Sequence, residues 1–393
     1  MSKESIVILS KLFLFNDQNE LRTDNLKLIN ELIDNGIKII FLGNQAASLK
    51  ATLSSYTTEY NDYVAFITRA RENWKRIRDL KRKFNVVLVG VVDQDAIFTF
   101  HTKIPLFNPS QIDEFHGQVQ TKVEQYGLPI QNFSELIECI KTYEIHESNY
   151  FELSTEDSFF VKSLNNAMYL YSPEDEKRIK MMFERNLKSK DDSADRRVLL
   201  VLLFHLMAEL INNPEYEEIE YWGIFPSSKV GIETSMTFIK ESIRKILGGN
   251  PQKRNGSPVN DNEILIRTEN MDSKRSTGDV RLSYKSSKDF ETLIVNPKLR
   301  GKLDGKVVCI LDDYITNGYS AEAAKYLLLS AGARKVYFIS IGKFGKKYFS
   351  TNYILQGDVF TPDYEGHYFG EEPYHYKGYS SNDQEIREFG RFL

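Results

Sequence analysis

An apolar run at residues 6–9, an amphipathic repeat over 25–34 that stops at Gly36, and a second apolar run at 37–42 predict strand, helix and strand in succession. A third buried strand, 86–92, follows a basic, helix-like stretch at 69–83. Helices placed between buried strands imply a parallel sheet, so residues 1–130 read as one α/β domain. From 133 to 212 strand signals stop. Helical periods take over at 174–186, behind Ser172 and Pro173, and at 198–211, with the charged stretch 188–197 as a linker. Residues 131–212 therefore read as a helical connector. Alternation resumes with strand 221–225, helix 232–247 closed by Gly248 and Gly249, strands 263–267 and 307–311, helix 321–330 closed by Gly332, and strand 336–341. Residues 213–393 are thus expected to form a second α/β domain, a doubly wound parallel sheet. Its connection 268–304 is long and polar and carries Lys274, Arg275 and Arg281, as a mobile lid would.

A length of 393 residues suits two domains of this size. Lys and Arg number 51 against 55 Asp and Glu, a formal charge of -4, which lacks the basic surplus of a nucleic-acid binder. Cys139 and Cys309 are too few for a metal cluster and fit a reducing cytoplasm. The longest apolar run, 198–206, is too short to span a bilayer, and no targeting segment is evident, so a cytoplasmic protein without a membrane partner is expected. His101, His116 and His146 lack metal-ligand spacing in company with acids and read as structural or surface residues.

One segment concentrates chemistry. After the strand 307–311 come Asp312 and Asp313, then Tyr314, Ile315, Thr316, Asn317, Gly318, Tyr319 and Ser320, then a helix. Ligands of open α/β sheets bind outside the carboxyl ends of strands, and a helix N-terminus suits a phosphate. Gly318 lets backbone approach an anion, Thr316 and Ser320 add hydroxyls, and the two carboxylates can accept hydrogen bonds from vicinal ribose hydroxyls. The segment reads a ribose 5-phosphate.

In this order the residues resemble the type I phosphoribosyltransferases, in the branch of the competence protein ComF. The resemblance runs from Tyr221 onward and includes a strand ending in Pro226, Ser227 and Ser228 and a strand ending in Ile266 and Arg267. It implies Mg²⁺-dependent transfer of ribose 5-phosphate from phosphoribosyl pyrophosphate to a small-molecule acceptor, a base or an amine. Asp312 and Asp313 would hold Mg²⁺ indirectly, through ribose hydroxyls or water, and stabilise a cationic sugar. Residues 314–320 would bind the phosphoribosyl group, and Pro226, Ser227, Ser228 and Lys229 the pyrophosphate. Arg267 would clamp pyrophosphate, Lys274 and Arg275 would close over it, and the Tyr-rich stretch 344–379 would shape the acceptor pocket. Asn317 stands where the family usually has Thr, and Tyr319 is bulkier than usual. The alternative is a non-catalytic sensor of phosphoribosyl pyrophosphate or a nucleotide on the same site.

The N-terminal strands and the stretch 86–95 resemble the haloacid-dehalogenase (HAD) superfamily, a Rossmannoid parallel sheet. The family's paired aspartates fall on Ser10 and Leu12, its strand-two Ser/Thr on Gly43, and its first fourth-motif acid on Val91; Asp93 and Asp95 keep acids nearby. With no aspartate nucleophile the aspartyl-phosphate route is closed. The domain is then expected to regulate or scaffold, through contact with a second copy of the chain or with a partner protein.

Overall fold

The computed structural model describes residues 3–16, 18–45, 47, 50–51, 64–155, 157–189, 193–231, 235–249, 263–271, 286–375 and 383–393. The chain is mixed α/β and divides into two compact units, each assembled from three stretches. Unit 1 comprises Met1–His146, Leu203–Glu217 and Lys245–Gly248; unit 2 comprises Glu147–Leu202, Glu218–Arg244 and Gly249–Leu393.

Unit 1 contains a six-stranded, all-parallel sheet built from β1 (Ser5–Ser10), β2 (Lys38–Gly43), β3 (Val64–Thr68), β4 (Asn85–Val89), β5 (Leu106–Asn108) and β6 (Leu128–Pro129), in the order β3-β2-β1-β4-β5-β6. The connecting helices are α1 (Lys11–Leu14), α2 (Thr23–Asp34), α3 (Arg71–Leu80), α4 (Asp93–Thr102), α5 (Thr121–Tyr126) and α6 (Phe133–Ile145). Strands β1 and β4 are buried along their full length, because helices cover both faces of a parallel sheet. Ile6, Ile8, Ile40, Leu42, Val86 and Leu88 form one core layer with Ala96 and Phe98 of α4. The order reverses between β1 and β4, which creates a crevice at their carboxyl ends. The parallel sheet expected from the sequence is present, with β3, β5 and β6 added to the three strands read there.

Unit 2 has a five-stranded sheet of β7 (Phe151–Thr155), β8 (Phe159–Asn166), β9 (Tyr221–Ile224), β12 (Val307–Ile315) and β13 (Lys335–Lys343), ordered β7-β8-β13-β12-β9. All neighbours are parallel except the hairpin β7–β8. That hairpin corrects the reading of 131–212 as wholly helical. β7 alternates buried and exposed positions, and β8 interleaves Lys162, Ser163 and Asn165 with its apolar residues, so no long apolar run marks them. The helices expected there are present as α7 (Glu174–Leu187) and α8 (Arg196–Asn212).

A further correction concerns 263–304. Strand β10 (Leu265–Arg267) lies outside the main sheet and pairs antiparallel with β11 (Leu293–Val295). Helix α10 (Ser286–Phe290) and a 3₁₀ turn at Pro297–Leu299 flank β11, so residues 286–299 carry short regular elements where a structureless polar connection was expected. Lys274, Arg275 and Arg281, the cations of the expected lid, lie outside the described residues. Helices α9 (Ser235–Leu247) and α11 (Tyr319–Ser330), the hairpin β14 (Lys347–Gln356) with β15 (Glu365–His375), and α12 (Asp383–Phe389) complete the elements used below. Among the described residues no helix is long and apolar enough to cross a membrane. Both cysteines are buried, free thiols.

Candidate functional site

The carboxyl ends of the adjacent parallel strands β9 and β12 bring two of the expected binding segments to one edge of unit 2. Strand β12 runs four residues beyond the apolar stretch read from sequence. Asp312 pairs with Ser340, Tyr314 with Gly342 and Ile315 with Lys343, so Tyr314 and Ile315 belong to the ladder and the turn proper is 316–318. Asp312 and Asp313 are half-buried; Asp312 Oδ1 accepts the Asp313 N–H at 2.9 Å and Asp313 Oδ1 accepts the Tyr314 N–H at 2.6 Å. Tyr314 packs on Phe344, ring centroids 5.1 Å apart, with the Lys188 ammonium 5.3 Å over its ring, and burial pushes its phenol well up.

The turn is fixed from behind. Lys343 Nζ donates to the Thr316 carbonyl at 2.6 Å, and the Phe349 N–H donates to the Asn317 carbonyl at 3.0 Å. A trans peptide points its C=O and N–H in opposite directions, so holding these carbonyls aims the Asn317 and Gly318 N–H groups away from the β14 side. Among the described residues neither N–H has an acceptor. Gly318 sits at φ +89 as the N-cap of α11, and a Cβ there would come within 2.3 Å of the Tyr348 ring. That ring is locked in turn: Tyr348 Oη donates to Glu322 Oε1 at 2.7 Å, while the Thr351 N–H and hydroxyl donate to Glu322 Oε2 at 3.0 and 3.1 Å. Ser320 lies in the first turn of α11, whose leading amides have no intrahelical acceptor. Tyr319 leaves the turn sideways, stacked on Phe349 at 5.8 Å and donating to Glu371 at 3.3 Å.

Residues 226–229 follow β9. The Phe225 N–H completes the ladder to the Leu311 carbonyl at 2.8 Å, after which Pro226, Ser227 and Ser228 are half-buried and Lys229 is exposed. The Val230 N–H is held by Asn270 Oδ1 at 2.9 Å, and the Ser228 carbonyl by the Met271 N–H at 2.8 Å. Arg267 is only 3% exposed. Its Nε donates to the Ser227 carbonyl at 2.7 Å, its Nη2 to Asp289 at 3.2 Å, and its Nη1 to the Thr292 hydroxyl at 2.5 Å. The clamp expected on a ligand is therefore turned inward: the guanidinium ties β10 to α10 and to the turn after β9. Asp289 and the β10–β11 pairing that presents it carry no sequence signal that Arg267 would need them.

In unit 1 the crevice between β1 and β4 is filled by Arg69. Its Nε donates to Asp95 Oδ1 at 2.7 Å, its Nη2 to the Ser10 hydroxyl at 3.1 Å and its Nη1 to Asn44 Oδ1 at 2.9 Å. Asp95 is fully buried, and its other oxygen accepts the Val91 and Val92 N–H groups at 2.9 and 3.1 Å. Asp93 closes the entrance to α5, accepting the Lys122 N–H at 2.8 Å. Asp95, buried and accepting three hydrogen bonds, is committed to the protein and is not presented to a cation or a phosphate. The whole chain, assayed with Mg²⁺ and p-nitrophenyl phosphate, is accordingly expected to stay at the uncatalysed background; turnover lost in Asp95→Asn would contradict this. Of the histidines, His101 stacks on Trp74 at 4.0 Å, and His146 bonds His205 at 3.0 Å and Glu209 at 3.2 Å within unit 1.

Comparison with protein-family models, with curated proteins and with solved structures gives no match.

Proposed function

We propose that unit 2 binds phosphoribosyl pyrophosphate at the carboxyl ends of β9 and β12 and transfers its ribose 5-phosphate to a base or amine. The observation that carries this reading is the 316–318 turn, two successive amides without acceptors among the described residues, opening a helix just beyond a strand end that carries two half-buried carboxylates. Oriented amides at a helix N-terminus suit a phosphate, and the carboxylates suit the hydroxyls of the attached ribose. The 226–229 turn, with Lys229 exposed, lies on the neighbouring strand end where the pyrophosphate would extend. Asp312 and Asp313 offer hard oxygen donors, the type Mg²⁺ accepts directly or through water. When bound, that ion would neutralise charge on the leaving pyrophosphate. The chain's own groups would hold the sugar phosphate still, and the carboxylates would stabilise positive charge at the anomeric carbon.

The test is pyrophosphate release from phosphoribosyl pyrophosphate and Mg²⁺ over a panel of bases and amines. Release dependent on one acceptor supports the transferase; tight binding with no release under any acceptor replaces it with the sensor. The inward commitment of Arg267 favours that second reading, because it removes one expected contact to the leaving group.

A further inference from the structure

Lys343 is completely buried at the end of β13. Its Nζ donates to the Thr316 carbonyl at 2.6 Å and to the Lys347 carbonyl at 2.7 Å, and lies 5.0 Å over the Phe151 ring. From β12 and its turn, from β14 and from β7 it therefore meets two carbonyls and an aromatic face. Of the charged groups on those elements, Lys347 is exposed, and the carboxylates are engaged elsewhere. Asp312 and Asp313 accept neighbouring amides, Glu152 faces Lys162 at 3.8 Å, and Glu322 of α11 is held by Tyr348 and Thr351. Among the described residues no carboxylate forms an ion pair with Lys343.

We infer that Lys343 is the positioning residue of the phosphate turn, and that an anion bound at the Asn317 and Gly318 amides draws a proton onto it. The inference rests on the phosphate-binding reading of that turn. A neutral amine has two N–H donors, which the two carbonyls satisfy; the ammonium has a third. Burial lowers the lysine to about 7, so near neutrality both forms are populated. An anion on the far side of the Thr316–Asn317 peptide favours the charged form. The charged form in turn polarises that peptide and strengthens the Asn317 N–H as a donor, so proton and anion bind cooperatively. The folded group sits below its unfolded value of 10.5, so its contribution to stability rises with pH from about 7 toward that value.

The experiment is titration calorimetry of the full chain at pH 8, where the lysine is largely neutral, in two buffers of different ionisation enthalpy. The probes are Mg²⁺ with phosphoribosyl pyrophosphate, and inorganic phosphate. Wild type is expected to take up between about a half and one proton more than Lys343→Met, which binds about 10-fold or more weakly. Lys343→Arg, permanently charged, should keep the affinity and lose the uptake. Equal proton counts in wild type and Lys343→Arg, with both binding, overturn the inference and leave the transferase reading standing; this arm also serves if Lys343→Met fails to fold. Linked uptake with inorganic phosphate but no binding of phosphoribosyl pyrophosphate retains the inference and ends the transferase reading. No binding of either probe ends both.

Discussion

Replacing Asp312 and Asp313 together by Asn is expected to weaken binding of Mg²⁺ with phosphoribosyl pyrophosphate by about 10²–10⁴-fold, since hydrogen bonds to a charged group are worth roughly 1.5–3 kcal/mol each. The fold should survive. Each carboxylate makes a short-range bond to the next residue's N–H, and the amide oxygen of Asn can accept that bond equally well. Loss of charge also leaves only neutral oxygens for a Mg²⁺ shell in place of the anionic ones it favours. Calorimetry on the purified double variant reads this directly, with a thermal melt alongside to establish that the protein is folded. Unchanged affinity would remove the site from β12.

Arg267→Met is expected to cost about 3–5 kcal/mol of stability, because it takes the buried guanidinium away from the 1%-exposed Asp289 and breaks a buried ion pair from one side. It also releases the Ser227 carbonyl and the Thr292 hydroxyl, so the turn after β9 loses its anchor. Restoring neutrality with Asp289→Asn in the same chain should recover part of the loss. That recovery separates a charge-burial effect from a packing effect. Urea unfolding of the two variants and wild type measures it; a single variant within 1 kcal/mol of wild type would show that the pair is not the strut described here.

The sequence conveyed the parts of this fold that consist of uninterrupted apolar runs. Strands β1, β2 and β4 are built on such runs, as is the first half of β12 and most of β13, and the helices around them repeat at helical spacing. What escaped has a different physical basis. The β7–β8 hairpin sits at a sheet edge and alternates, so its pattern is short and weak. Strand β3 has only five residues, too short a pattern to stand out. For the site, Asp312, Asp313 and Gly318 stand in one contiguous stretch and could be read as a group. Lys343 and Phe349 could not, because supporting a carbonyl from behind makes no demand on local composition. Arg267 was legible as a cation at a strand end but not in its direction, which depends on Asp289, brought opposite by the β10–β11 pairing. Arg69 and Asp95 meet only because β3 and β4 flank the two strands between them.

The interleaving of the two units dictates an order of events during synthesis. Unit 1 draws on Leu203–Glu217 and Lys245–Gly248 as well as its first 146 residues, so it cannot be complete until residue 248 has left the ribosome. By then the β7–β8 hairpin and β9 have already emerged, while β12 and β13, the strands that lie between them in the sheet, have not. Domains that form one after another from the N-terminus bury each core before the next begins. Here the nascent chain must instead hold the β7–β8 hairpin and β9 apart from the two strands that join them while the other unit closes.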